Sequence, residues 1–143
     1  MIYIDTSSLL KLAVQDLQTE ATRMAVSLEN SVIVSTLTEL EVRVQLRGLL
    51  LGGKLSRTHA ICLRDKLMEI IGQTPVQHRD LPASVFSVAL SQNDASEIHC
   101  RSLDRIHLSA MAEMGIKRLM THDDLQAKAA RELGYAVMVP GLE

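Results

Sequence analysis

Aromatic residues are nearly absent from this 143-residue chain: two tyrosines, one phenylalanine and no tryptophan, 2% in all. A protein that reads single-stranded bases by stacking needs ring platforms. Tyr3, Phe86 and Tyr135 are too few for that way of holding nucleic acid. Cysteine is scarce too. Cys62 and Cys100 form no C-x-x-C pair and fit reduced thiols in a cytoplasmic protein; a disulfide is the weaker alternative. No apolar run approaches ~18 residues, so no membrane span is expected. No charged n-region precedes an apolar h-region, so no secretory signal is expected. A large net charge is missing as well. At a formal −2, a nucleic-acid ligand would need a local basic patch or metal ions. The histidines (His59, His78, His99, His107 and His122) show no metal-ligand spacing. There is no convincing Ser-His-Asp set, no P-loop and no G-x-G-x-x-G.

What is present is aliphatic. Apolar residues make up 47%, so the core is built from Leu, Val, Ile, Ala and Met. The length suggests one domain over 1–143. The chain opens with an apolar run, Met1 to Ile4, that stops at Asp5. Hydroxyl residues and a helical pattern (Leu9, Leu10, Leu12, Ala13) follow. This reads as a buried strand ending in an acid, with Thr6, Ser7 or Ser8 available as the next helix's N-cap. Gln18 to Leu28 has helical spacing, and Val32 to Ser35 is a short β-branched strand. A long helix is expected from Thr36 to about Leu51. Leu37, Leu40, Val44 and Leu51 form one apolar face; Val42, Leu46, Leu49 and Leu50 form another, roughly opposite. Such a helix is either buried within one subunit or shared with a homodimer partner. Gly52-Gly53 ends it, and a second helix, Ser56 to Ile71, returns antiparallel.

The rest continues the alternation. Thr74-Pro75-Val76 opens a third strand, Leu81 to Leu90 reads as a helix with Pro82 in its first turn, and Asn93-Asp94 as a turn. Ser102 can cap a helix from Leu103 to Met114. Arg118 to Thr121 is a strand, Asp123 or Asp124 caps a helix from Leu125 to Leu133, and Tyr135 to Val139 is the last strand. Strands alternating with helices predict a mostly parallel sheet with helices on both faces.

Carboxylates sit where strands end or helices begin: Asp5, Glu39 or Glu41, Asp104, and Asp123-Asp124. Taken singly, an acid at a helix start is an ordinary cap, favoured by the macrodipole. Asp5 is harder to explain that way, because a carboxylate directly after a buried strand is desolvated and needs a partner. Converging carboxylates repel one another and need a cation. Magnesium and manganese suit all-oxygen sites. Such an ion can polarise a phosphodiester and lower the pKa of an attacking water. Thr6 and Thr121 could position water or phosphate through their hydroxyls.

These residues resemble those of PIN-domain ribonucleases, specifically the VapC-type toxins of toxin–antitoxin pairs. Tyr3 to Leu10 resembles the family's opening strand with its first acid, Asp5. Val34 to Glu41 resembles the segment whose acid falls on Glu41. Ser102 to Leu108 resembles the segment with Asp104, and Thr121 to Ala130, leading to Gly134, the last motif with Asp123. The resemblance implies a three-layer α/β/α sandwich around a parallel sheet and Mg2+- or Mn2+-dependent cleavage of RNA. It also implies a homodimer and inhibition by a cognate antitoxin. It assigns the metal to Asp5, Glu41, Asp104 and Asp123, with one or two ions. The family often carries Arg two residues after the last acid. Here that place is Leu125, so Asp124 could share or take over the role of Asp123. Glu39 and Glu41 lie about 200° apart on a helix, so only one faces the pocket. Helical geometry leaves the choice open; the resemblance selects Glu41.

Between Glu41 and Asp65 there is no acid, while Arg43, Arg47, Lys54, Arg57 and Arg64 all fall there. The RNA phosphates are expected on this helical hairpin, at Arg43, Arg47, Lys54 and Arg57. A solvated face or a docking surface for an acidic partner is the competing reading. His107, three residues after Asp104, either bonds near the site or is structural. Three other functions compete. A receiver-like phosphoacceptor domain wants a Lys after a late strand, but Lys117 precedes it. A non-catalytic binding module would use the acids only as caps. A DNA-directed nuclease would share the same acids.

Overall fold

The computed structural model describes residues 1–14 and 16–141. In chain order the elements are β1 (Ile2–Ile4), α1 (Thr6–Ala13), α2 (Thr19–Ser27), β2 (Val32–Ser35), α3 (Thr36–Leu51) and α4 (Arg57–Ile71). They continue with β3 (Val76–Arg79), α5 (Val85–Ala95), α6 (Ser102–Glu113), β4 (Arg118–Met120), α7 (Asp124–Glu132) and β5 (Ala136–Met138). The strands form one sheet in the order β3-β2-β1-β4-β5, and every pairing is parallel. Among the described residues, no helix is long and apolar enough to cross a membrane.

Side chains alternate across a strand, and this sheet sorts its core accordingly. Ile2, Ile4, Val32, Val34 and Met120 point to one face, where Leu9, Val42, Leu46, Leu67 and Ile71 of α1, α3 and α4 cover them. Tyr3, Ile33 and Leu119 point to the other, under Leu108, Met111, Ala129 and Ala130 of α6 and α7. The result is the expected α/β/α sandwich. A buried Leu or Ile contributes about 1.5–3 kcal/mol. The two clusters on a completely buried β1 therefore make the middle of the sheet its most stable part.

Packing resolves the two-faced α3. Val42 and Leu46 enter the core, whereas Leu40 and Val44 stay about 60% exposed. Three local expectations are corrected. Asp5 itself, not Thr6, Ser7 or Ser8, is the N-cap of α1, accepting from Ser8 N at 2.9 Å. Arg101 rather than Ser102 occupies the N-cap position of α6, without a side-chain cap bond. The helix expected at Leu81–Leu90 lies at Val85–Ala95, so Asn93-Asp94 is its last turn and not a loop. Pro82 sits in the preceding turn, its carbonyl accepting from Val85 N at 3.2 Å. Packing of α5 on α6 outweighs the weak turn preference of exposed Asn and Asp.

Candidate active site

β1 is the point where the sheet changes direction: β2 and β3 lie on one side of it, β4 and β5 on the other. In open parallel sheets, the crevice beyond the carboxyl ends of such strands is where ligands bind. Asp5 follows β1 directly and is 3% exposed. Its Oδ1 accepts from Ser8 N at 2.9 Å, its Oδ2 from Thr121 Oγ1 at 2.6 Å, and Ser7 Oγ lies 2.8 Å from both oxygens. Burial pushes this carboxyl above its ordinary range, and the bonds from Thr121, Ser8 and Ser7 oppose burial without cancelling it.

Glu41 comes from the second turn of α3. Its Oε2 accepts from Thr6 Oγ1 at 2.6 Å and meets His107 Nε2 at 2.5 Å. Burial alone would raise this carboxyl. The bonds from His107 and Thr6, with the charge of Arg101, outweigh burial and hold it below its usual range. Asp104, in the first turn of α6, and Asp123, the N-cap of α7, complete the set. All four acids line one cavity of about 340 Å³, together with Thr6, Ser7, Gln45, Arg101 and His107. Thr121 is fully buried behind Asp5. Asp124 is exposed and does not line the cavity.

Arg101 bridges two of the acids. Its Nε donates to Asp104 Oδ2 at 2.8 Å and its Nη2 to Asp123 Oδ2 at 2.6 Å. Hydrogen bonding and attraction to Asp104, then the charge of Asp123, hold the guanidinium pKa above its ordinary value. Among the described residues, no three His, Cys, Asp or Glu side chains yet stand close enough to enclose one ion. The donor chemistry fits a hard cation nonetheless. Four carboxylates line the cavity, and Glu41 Oε1 has no protein donor among the described residues.

The basic residues gather elsewhere. Arg43, Arg47, Arg57 and Arg64, over a floor that includes Leu46, Leu50 and Ile61, line a second cleft of about 310 Å³ between α3 and α4. Arg43 and Arg47 each lie two residues, about 200°, around α3 from Glu41 and Gln45. The cleft and the acid cavity therefore share no lining residue. Arg43 is also paired with Glu39 at 2.7 Å, and Glu39 with His78 at 3.0 Å. Lys54, in the turn after α3, is exposed and outside the cleft. Arg101, Ser7, Gln45 and the Tyr3–His107 contact are the site's features that sequence reasoning missed. Arg101 had a signal, standing three residues before Asp104 at the entry to α6.

Comparison with known proteins follows the same lines. Solved structures share the fold at low sequence identity. The sarcin–ricin-loop-cleaving toxin VapC20 of Mycobacterium tuberculosis superposes with a TM-score of 0.67 at 18% identity, over 90% of this chain and 95% of that one. VapBC2 of Rickettsia felis, bound to a DNA fragment from its promoter, gives 0.70 at 13%, over 96% and 98%. These neighbours and the acid-lined crevice define the fold as PIN-like. No protein-family model matches the chain. Ribonuclease VapC46 of M. tuberculosis is 30% identical over 141 residues, 97% of each chain. The chain thus belongs to the VapC family of PIN-domain ribonucleases.

Proposed function

We propose that this chain is the endoribonuclease toxin of a toxin–antitoxin pair and that it hydrolyses RNA phosphodiesters in the acid-lined cavity. The observation that carries this reading is convergence: Asp5, Glu41, Asp104 and Asp123 come from four separate stretches and line one cavity. These four would hold Mg2+ or Mn2+. The ion, when bound, polarises the phosphodiester and lowers the pKa of the attacking water. The protein's own part is preorganisation. Thr121, Ser7 and Ser8 N fix Asp5, while Thr6 and His107 fix one oxygen of Glu41. Arg101 offsets part of the charge of Asp104 and Asp123, the two acids that would help hold the ion. With its side chain 66% exposed, it would also offer a counter-charge to the RNA backbone.

The test is cleavage of a labelled mixed RNA pool with Mg2+ or Mn2+, comparing wild type with Asp5→Ala and Asp104→Ala, with folding checked. Metal-dependent cleavage lost in both variants supports the reading. No cleavage together with no metal binding by calorimetry leaves a binding module in its place.

The arginine cleft has two readings. RNA phosphates held by Arg43, Arg47, Lys54 and Arg57 are the first. The second, an acidic segment of the antitoxin, is favoured by the cleft's apolar floor and its position around α3 from the acids. Leu40 and Val44 on α3, with Phe86 and Leu90 on α5, are exposed and support a homodimer face. Free Cys62 and Cys100 support a reducing, cytoplasmic setting.

A further inference from the structure

Beneath the acid cavity runs a row of buried polar groups that no metal ligand requires for its own folding. His107 is 1% exposed and lies one helical turn beyond Asp104 on α6, so one face of α6 presents both side chains. Its Nε2 meets Glu41 Oε2 at 2.5 Å and its Nδ1 meets Tyr3 Oη at 2.7 Å. Tyr3 Oη in turn lies 2.6 Å from Ser35 Oγ, which accepts from Thr38 N at 3.2 Å. With the imidazole proton on Nε2, every donor has an acceptor in one direction. Thr38 N–H gives to Ser35, Ser35 to Tyr3, Tyr3 to His107 and His107 to Glu41. A buried row satisfied throughout is rigid, and one with a missing member is costly.

The row ends on one oxygen only. Oε2 of Glu41 receives both His107 and Thr6, while Oε1 receives no protein donor among the described residues. A glutamate side chain has three rotatable bonds, and left alone it would offer either oxygen in many poses.

We infer that Tyr3 and His107 are positioning residues that clamp Oε2 of Glu41 and so reserve Oε1 for the cation. The clamp ties Glu41 of α3 to α6, and it anchors α6 through Tyr3 to the middle of the sheet. The Tyr3 hydroxyl and both ring nitrogens of His107 are already engaged by protein partners. They fix the ligand's rotamer, as outer partners commonly do at metal sites, where their loss costs about 10–100-fold in affinity. This inference rests on the metal-site reading proposed above.

The test is Mn2+ affinity by calorimetry for wild type, His107→Leu, His107→Gln and Tyr3→Phe, with melting curves for each. His107→Leu removes the donor and should weaken Mn2+ binding about tenfold or more. His107→Gln places an amide N–H where Nε2 stands and should restore most of that affinity, although both variants disturb the core. Tyr3→Phe removes one oxygen and keeps its ring in place, and should weaken binding about two- to tenfold. It carries the test if His107→Leu fails to fold. Unchanged affinity in folded His107→Leu or in Tyr3→Phe overturns the inference, as does a Gln variant no better than Leu. Absence of Mn2+ binding by the wild type overturns the metal-site reading itself and removes the inference with it.

Discussion

Helix α3 carries two cavities of similar size on different faces, and they are built in different ways. The acid cavity draws on residues from Asp5 to Gln126, and most of its side-chain oxygens are already hydrogen-bonded. The arginine cleft draws only on α3 and the next helix, α4. Its described ion pairs, Arg43 with Glu39 and Arg64 with Asp65, both use half-exposed arginines. Chemistry needs groups fixed before the substrate arrives, because orientation must not be arranged during reaction. Contact needs only charge of the right sign and an apolar floor. One helix can serve both ends because residues two apart point about 200° from each other.

Substitutions on either side of α3 can break this contrast. The largest effect is expected at the acids. Asp5→Ala and Asp104→Ala should reduce RNA cleavage below detection in a gel assay, and retained cleavage by a folded variant would move the chemistry elsewhere. Reversing both arginines, Arg43→Glu with Arg47→Glu, should leave Mn2+ affinity unchanged in calorimetry. It should weaken binding of the cleft's ligand about tenfold at low salt, less as salt rises. Measuring RNA and antitoxin binding side by side shows which ligand that is. Arg101→Gln should tighten Mn2+ binding a few-fold, since the ion no longer competes with a guanidinium; weaker binding would make Arg101 a support of the site rather than a competitor.

The smallest effect concerns stability and pH. Burial raises the Asp5 carboxyl above its ordinary value of 3.8, so in the unfolded chain it loses its proton first. In the window from there up to the folded pKa, the unfolded state binds fewer protons. Metal-free stability due to this group is therefore largest below that window and falls as pH rises through it. Asp5→Asn should remove that slope and raise the neutral-pH melting temperature of the metal-free chain by about 3 °C. A melting temperature equal to or below that of the wild type across the pH range would show that burial is not the dominant influence on Asp5.

Local patterns carried much of this in the sequence. An apolar run ending in Asp5, and Thr121 leading to Asp123, mark strand ends that the sheet then places side by side. The alternation of strands and helices carried the parallel sheet. What period alone could not decide was α3, apolar on two sides. The covering of Val42 and Leu46 by α4 and the sheet made the choice, and it turned Glu41 rather than Glu39 to the cavity. The Tyr3–His107 contact spans 104 residues. Tyr3 reads as one more apolar strand residue until the fold shows its hydroxyl buried among polar partners. The shift of α5 has the same origin, since packing on α6 is a tertiary fact.

The central strand has one more consequence, for the chain as it is made. β1 is made before its partner β4, which lies 116 residues further on, with Tyr3 registered against Leu119. Such a pairing is late by necessity, because a long loop must close before it forms. Asp5 lacks Thr121, and Asp104 lacks its bridge through Arg101 to Asp123, until that closure. A growing or truncated chain therefore carries its first three acids without a finished site. The cavity closes only once Thr121 and Asp123 have been added, so a copy interrupted before them holds three of the acids and no finished site.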